Sequence, residues 1–476
     1  MPTRTSDAER QRIIEDIGRL LERHRVLDAL ARRQASDRRD VIEDLQHRQN
    51  AADVQRRVKL LHPADLAFVL ESLPVADRRL IWRDLDDTQA ADALLELDTA
   101  VRDGLLGATP TRRLVDILRR LDPHDLGWLS ESIPPAVLQQ VVGDLDDAER
   151  LLVRQTASYD EGSVGYLMTH DLAVVQESAT AAEVVADLRS RDGLPRHADP
   201  LFVVDRRNVF SGALSLQALL LAVPSAPVAD LTDRAAISFA PDDAASTAAR
   251  AFERYNLVSA AVITDRGKLV GRLTIDAVVD FIQQTADRDA LAMAGLSKSE
   301  DLFAPVWHSA RNRSMWLLVN LVTAFLATRF IGLFESTIGE LVALASLMPI
   351  VASVGGNTGN QTVALVIRGL AFDQIGSMSV RHVLRKEFLV GLLNGVLWGG
   401  LVGLAVLLWY RHLRLGIVLM TAVILNLAIA AVVGVAVPLL LHRYGRDPAQ
   451  GASVLLTFVT DSMGFLLFLG LAQLLL

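Results

Sequence analysis

Residues 348–371 read MPIVASVGGNTGNQTVALVIRGLA, and their centre, Gly355–Gln361, sets three glycines and three carboxamides inside a stretch with no charge between Glu340 and Arg368. An uncharged run of that length is long enough to cross a bilayer, yet its middle is polar. Pro349 removes a helix hydrogen bond, and Gly355, Gly356 and Gly359 allow the backbone either to unwind or to pack closely on a neighbour. Irregular backbone at membrane depth is tolerated only against protein or water. Asn357, Asn360 and Gln361 offer neutral oxygens suited to a hard cation and its water shell. The plainer alternative is small-residue helix packing joined by amide hydrogen bonds.

Working outward, five stretches read as spans: about Ser314 to Phe334, Leu341 to Ile367, Phe388 to Tyr410, Leu415 to Leu441 and Gly451 to Leu476. Arg311, Arg313, Arg368, Arg381, Arg385, Lys386, Arg443 and Arg446 fall on one side, against Arg411 and Arg414 on the other. The first group belongs on the cytoplasmic side. The expectation is a multi-pass protein of the inner (plasma) membrane with cytoplasmic N-terminal domains and an external C-terminus. Arg329, near the outer end of the first span, is placed to snorkel to the headgroups. In the fifth span the only ionisable side chain is Asp461. A carboxylate at that depth costs about 2.5–3.5 kcal/mol on insertion scales unless it meets water, a cation or a partner. On one continuous helix Thr457, Asp461, Gly464 and, farther down, Asp447 share a face. The stripe is read as an ion path, with a buried interhelical hydrogen bond at Asp461 as the alternative.

The remainder of the chain is soluble in character. Nearly all of the Asp, Glu, Lys and Arg precede about residue 310, and the net charge of −8 excludes a basic nucleic-acid-binding face. With no cysteine, disulfides and thiolate metal sites are excluded. LHPADLAFVLESLP (61–74) recurs as LDPHDLGWLSESIP (121–134), and DLDD (84–87) recurs at 144–147, a period of sixty residues. Apolar residues at helical spacing behind Pro and Asp starts predict a solenoid of short helices. Residues 1–55 precede it as an Arg-rich helical segment. A second repeat pairs ATAAEVVADLRSR with DDAASTAARAFERYN and LFVVDRRNVFSGALSLQALL with AAVITDRGKLVGRLTIDAVV. Each copy predicts helix, two strands, helix.

Residues 348–371 resemble the signature of the MgtE family of magnesium transporters: Pro349, six residues on Gly-Gly-Asn, then Gly-x-Gln and Arg-Gly-Leu-Ala. Phe334–Glu335, Asp447-Pro448-Ala449 and Thr457 to Asp461 are similar to that family too. The second repeat resembles a tandem pair of CBS modules, about 162–222 and 228–286. The resemblance implies a multidomain fold. An all-α solenoid (56–160) follows the N-terminal segment, then an α/β CBS pair (161–286), a connecting or plug helix (287–313) and a five-span α-helical transmembrane domain (314–476). It implies a homodimer in the bilayer whose cation pore is lined by spans two and five. By that resemblance Asp461 is implied to meet its symmetry mate, Asp447 to stand at the inner end, and Asn357, Gln361 and Thr457 to line the path for Mg2+. Cytosolic Mg2+ is implied to be sensed by acidic residues near the plug, here Asp276, Asp280, Asp287 and Asp289, with the match AMAGLS (292–297) in the plug element.

The chain departs from that pattern in places. Ser453-Val454 stands where a Gly-Pro pair is usual, Phe458 where a second threonine is common, Gln283-Gln284 where acids are expected and His124 where an Asp is usual. Fewer carboxylates predict weaker Mg2+ sensing. CBS pairs often bind adenosine nucleotides through a Thr followed three residues on by Asp. Here Thr274 precedes Ala277 and Ser215 precedes Ala218, so no nucleotide is expected. Enzyme activity is not expected either: only Asp461 is intramembrane, no His-Glu-x-x-His occurs, and His412 and His442 lie at span ends. The rivals are a carrier of other divalent cations, a sodium-coupled Mg2+ exchanger, and a membrane-anchored Mg2+ or nucleotide sensor.

Overall fold

The computed structural model describes residues 12–13, 15–19 and 56–476, apart from 192, 196, 297–299, 372–374 and 376–378. Most of the N-terminal segment 1–55 lies outside the described residues. The chain forms two compact units, residues 1–284 with 301–305, and 285–300 with 306–476.

The first unit opens with α1 (Pro63–Glu71), α2 (Val75–Asp84), α3 (Asp87–Glu96), α4 (Thr99–Ala108), α5 (Thr111–Leu118), α6 (Pro123–Trp128), α7 (Pro135–Gly143) and α8 (Asp147–Thr156). Helices α6 to α8 begin sixty residues after α1 to α3, as the repeat predicts. The helices are short because Pro or Asp restarts each one. Asp86 accepts from Gln89 N at 2.9 Å, and Asp146 with Glu149 forms a capping box. Their apolar faces meet in one core that includes Leu66, Leu70, Leu94, Leu105 and Ile117.

The CBS-type repeat follows with α9 (Val164–Leu167), β1 (Val174–Gln176), α10 (Ala181–Ser190), β2 (Leu201–Val204), β3 (Phe210–Leu214), α11 (Leu216–Leu221), α12 (Val228–Leu231), β4 (Ser238–Phe239), α13 (Ala245–Tyr255), β5 (Ser259–Ile263), β6 (Leu269–Thr274) and α14 (Ile275–Met293). Each copy builds a three-stranded sheet, β1-β2-β3 and β4-β5-β6, whose first pair is parallel and second antiparallel. The hairpins turn at Asn208 (φ 62°) and Gly267 (φ 73°), residues that tolerate the left-handed region. Strands β1 and β4, of three and two residues, are absent from the sequence expectation because they are too short to show alternation.

Two expectations need correction here. Among the described residues no single helix spans the expected connecting segment 287–313. The last CBS helix α14 continues past the expected boundary at 286 and ends at Met293. Gly295 (φ 71°) closes it: Leu296 N bonds Leu291 O at 2.9 Å and Gly295 N bonds Ala292 O at 3.0 Å. That pair of hydrogen bonds is a Schellman stop, which needs a residue at positive φ. A new helix starts only at Val306, behind Pro305, and runs without interruption into the first span.

The membrane half consists of α15 (Val306–Gly332), α16 (Glu335–Glu340), α17 (Ala343–Ala371), α18 (Val380–Tyr410), α19 (Leu413–Arg443) and α20 (Ala452–Leu475). Among the described residues α15, α18, α19 and α20 are long and apolar enough to cross a membrane. The expectation of five apolar stretches thus holds for four. At 29 residues α17 reaches about 43 Å, but Gly355–Gln361 lowers its hydropathy. It stays helical through Pro349 and all three glycines, so the glycines serve close packing and the unwinding alternative falls.

Helices α18 and α19 pack along a glycine ladder that the sequence reading did not use. A Cβ at Gly391 would meet Leu427 O at 2.8 Å, at Gly395 Ile424 Cα at 2.9 Å, at Gly399 Met420 O at 2.9 Å and at Gly403 Gly416 O at 2.7 Å. Spacing of four keeps the glycines on one stripe, and the missing side chains let the two backbones touch.

Candidate ion path

Helices α17 and α20 run antiparallel and in contact. A Cβ on Gly359 would press on Leu456 at 2.6 Å, and one on Gly356 would sit 3.9 Å from Thr460 Oγ1. Lower down, Ser453 Oγ donates to Asn360 Oδ1 at 3.1 Å. The contact of residues 356 and 460 puts their neighbours Asn357 and Asp461 at one level of the bundle. On α17, Gly355, Gly359, Thr362 and Val363 are buried, whereas Ser353, Asn357, Asn360 and Gln361 are exposed. On α20, Thr457 is exposed and Asp461 half-buried. Carboxamides, hydroxyls and one carboxylate thus line a single uncovered face on two neighbouring helices. Among the described residues no group of three His, Cys, Asp or Glu gathers to hold a metal. One copy of the chain therefore offers this face a single mid-helix carboxylate.

Asp447 does not continue the helical stripe, contrary to the expectation from spacing. The helix begins at Ala452, after Pro448 and a left-handed Gly451 (φ 85°), and Asp447 caps its own turn by accepting from Ala449 N at 2.9 Å. It lies in the turn at the start of α20, half-buried. Arg329, exposed near the end of α15, stacks its guanidinium 4.8 Å from the Phe325 ring.

The structure also brings in residues that the sequence reading missed. Glu387 of α18 is buried at 6% exposure, accepts from Thr362 Oγ1 at 3.3 Å and lies 3.2 Å from Lys386. It was hidden in the basic flank RHVLRKE. Asn426 of α19 is fully buried. The signal was available: a lone amide in the apolar run 422–431 invites the question asked of Asp461.

Where α14 ends, Ala292 is buried in an apolar cluster with Val363, Ile367, Ala449, Ala452 and Leu456. A cavity of about 490 Å³ adjoins it, lined among others by Met293, Leu296, Trp316, Asn320, Ser453 and Thr457. Glu300, its side chain 6% exposed, holds the segment to α15 through Asn312 Nδ2 at 3.4 Å and Arg313 Nε at 3.5 Å.

Of the four acids expected to sense Mg2+, Asp276, Asp280 and Asp287 are exposed and Asp289 is half-buried. Asp276 already faces His197 Nε2 at 2.8 Å. Partial desolvation of its carboxyl first, although the residue as a whole is exposed, and then the charge of Asp276, raise the pKa of Asp280 above its ordinary value. His124 stands 5.2 Å from His170, ring to ring, and burial with that neighbour lowers its pKa to about 4. The hydroxyls at the nucleotide-type positions serve as helix caps: Ser215 Oγ accepts from Ala218 N at 3.1 Å and Thr274 Oγ1 from Ala277 N at 3.5 Å.

A helical-repeat domain, a CBS-type pair and a bundle of apolar helices with one polar face define a multi-pass membrane protein with attached soluble domains. Comparison with known proteins agrees part by part. Residues 348–471 match the MgtE model, described as a divalent cation transporter. Residues 61–162 match the MgtE intracellular N domain and 228–284 the CBS domain. Among curated relatives, the magnesium transporter MgtE of Thermus thermophilus is 31% identical over 424 residues, covering 87% of this chain and 93% of that one. That of Bacillus subtilis is 26% identical over 420 residues, covering 88% and 93%. The chain belongs to the MgtE family. Among solved structures, the cytosolic domain of the Mg2+ channel MgtE in complex with ATP is 27% identical, covering 50% of this chain and 98% of that one with a TM-score of 0.44. The soluble part of a magnesium transporter is 19% identical, covering 56% and 99% with a TM-score of 0.37.

Proposed function

We propose that this protein passes Mg2+ across the inner membrane through a pore formed where α17 and α20 of two copies meet on a two-fold axis, α17 serving as the fifth span. One observation carries the reading: the uncovered face of Asn357, Gln361, Thr457 and Asp461 on otherwise apolar, membrane-length helices. A polar face turned to lipid is costly. A second copy placed against it hides the face and brings two Asp461 carboxylates together. Magnesium takes near-octahedral oxygen ligands at about 2.0–2.1 Å and gives up water reluctantly. Paired carboxylates attract the hydrated ion, while amide and hydroxyl contacts through its waters stay weak enough to release it. Asp447, in the turn at the start of α20, is positioned to collect cations at the inner mouth, and the C-terminus lies outside.

In this reading the soluble domains regulate the pore. Its parts are the helical solenoid (56–160), the CBS pair (161–286), the connecting segment (287–313) and the membrane domain (314–476). The burial of Ala292 against Val363 and Ala452 supports the end of α14 as the plug. Asp276, Asp280, Asp287 and Asp289 are the regulatory acids, since close carboxylates need a counter-ion to stay together. The engagement of Asp276 by His197 supports weak sensing. The caps formed by Ser215 and Thr274 support a CBS pair without nucleotide, which a titration with ATP tests directly, as one relative's cytosolic domain was solved with it.

Magnesium flux into proteoliposomes tests the pore. Wild type is expected to load the vesicles, and Asp461→Ala is expected to fall to the protein-free background. Flux that follows an imposed sodium gradient assigns an exchanger instead, and equal uptake with and without protein assigns a sensor.

A further inference from the structure

Asn426, in the middle of α19, is 0% exposed. Its Nδ2 donates to Val351 O of α17 at 2.9 Å. Among the described residues its Oδ1 is buried without a hydrogen-bond partner. The amide stands in a slot walled by two glycines from two other helices. A Cβ added at Gly355 of α17 would overlap Nδ2, and one at Gly464 of α20 would lie 2.9 Å from the same atom. Gly355 precedes Asn357 by two residues and Gly464 follows Asp461 by three. One side chain, from a helix outside the polar face, therefore touches both helices that carry that face.

An unpaired buried oxygen is a standing cost that an apolar side chain of similar size would avoid. Helix packing alone does not call for it, because the α18–α19 seam closes where glycines meet Leu427, Ile424, Met420 and Gly416, with no side-chain amide at those contacts. What the amide adds is direction. Residues two apart on a helix point roughly 200° apart, so fixing Gly355 toward α19 fixes Asn357 toward the uncovered face. The sideways bond to Val351 O stops α17 from turning about its axis, and the fit at Gly464 locks α20 against the same group.

We propose that Asn426 is a positioning residue for the ion path: its amide keys α17 to α20 and so holds Asn357 and Asp461 at a fixed rotation and level. The inference rests on the pore reading above and deepens it. The test uses full-length protein in proteoliposomes, with Mg2+ and Ca2+ fluxes measured separately for wild type, Asp461→Ala, Asn426→Leu and Asn426→Ser. Both Asn426 variants are expected to lose about tenfold or more of Mg2+ flux, the usual scale for removing a group that orients ion-contacting residues. Their Mg2+-to-Ca2+ ratio is expected to shift, with elution and melting like wild type. Asn426→Ser, small and uncharged, decides the matter if Asn426→Leu does not fold. Wild-type flux and ratio in the Asn426 variants, beside a silent Asp461→Ala, overturn the positioning role and leave the pore standing. An unchanged ratio with flux lowered only in step with the folded fraction also overturns it. Wild-type flux in Asp461→Ala removes the pore reading and the positioning role together.

Discussion

In the N-terminal helices Arg78 is 3% exposed, and its guanidinium donates to Leu70 O, Leu73 O, Glu71 O and both carboxylate oxygens of Asp301, the shortest bond being 2.7 Å. In the membrane half Asn357, Gln361 and Thr457 stand on an uncovered face of helices that are otherwise apolar. A soluble domain can leave polar groups in water at no cost, so one that is buried and fully bonded is part of the scaffold. A membrane helix meets the opposite condition. Polar groups left uncovered there add nothing to the fold of one copy, and they mark where water, an ion or a second copy belongs.

The comparison predicts a double dissociation, and its largest effect falls on Arg78. Arg78→Ala removes the guanidinium bonds to Asp301 and to three carbonyls and is expected to cost about 3–5 kcal/mol, read as a lower denaturation midpoint of the full-length protein. Asn357→Ala is expected to change stability by less than about 0.5 kcal/mol while lowering Mg2+ flux. Equal destabilisation by the two changes breaks the contrast.

Next comes the neighbouring pair His124 and Asp125, which sharpens the soluble side. His124 is held down to about 4 by burial and His170, whereas Asp125 is raised to about 6 by burial and Asp122. The folded His resists a proton that the unfolded chain accepts below about pH 6.5, so its contribution falls as pH drops from there to 4. The folded Asp takes its proton earlier than the unfolded chain, so its contribution rises as pH drops from 6 toward 3.8. Each amounts to something on the order of 3 kcal/mol and the two nearly cancel. Hydrogen exchange at Leu126 in the full-length protein is expected to change little between pH 6.5 and 4. Asp125→Asn is expected to lose protection on acidification and His124→Asn to gain it, and parallel slopes in the two variants refute the assignment.

A smaller loss of stability than that of Arg78→Ala belongs to the glycine seam. Gly395→Val drives two methyl groups into Ile424 and is expected to cost about 1–3 kcal/mol, lowering the melting temperature. The Mg2+-to-Ca2+ flux ratio of the folded fraction is expected to stay at its wild-type value. A changed ratio would show that the α18–α19 seam also sets the position of Asn426.

Much of the fold could be read before any coordinates. The sixty-residue period returned as α1–α3 and α6–α8 because each Pro or Asp that restarts a helix is a local signal. Paired apolar runs around DRRN and DRGK returned as β2–β3 and β5–β6 for a similar reason. The candidate site was half legible. Asp461 and Asn357 stood out because a polar group in an apolar run has few cheap explanations. Asp447 was misplaced: spacing counts assume one helix, and Pro448 with Gly451 interrupts it. The connecting helix was misjudged likewise, since a glycine stop depends on the positive φ adopted at Gly295.

Sequence alone determined the repeated solenoid helices, which half belongs in lipid and which residues are too polar for their surroundings, because these follow from local propensity and transfer cost. Only the tertiary structure decided that α17 stays helical through its glycines, that Gly355 and Gly464 close on Asn426, and that Glu387 reaches Thr362. Those outcomes turn on which backbones approach one another. That is a property of packed pairs, and no single segment carries it.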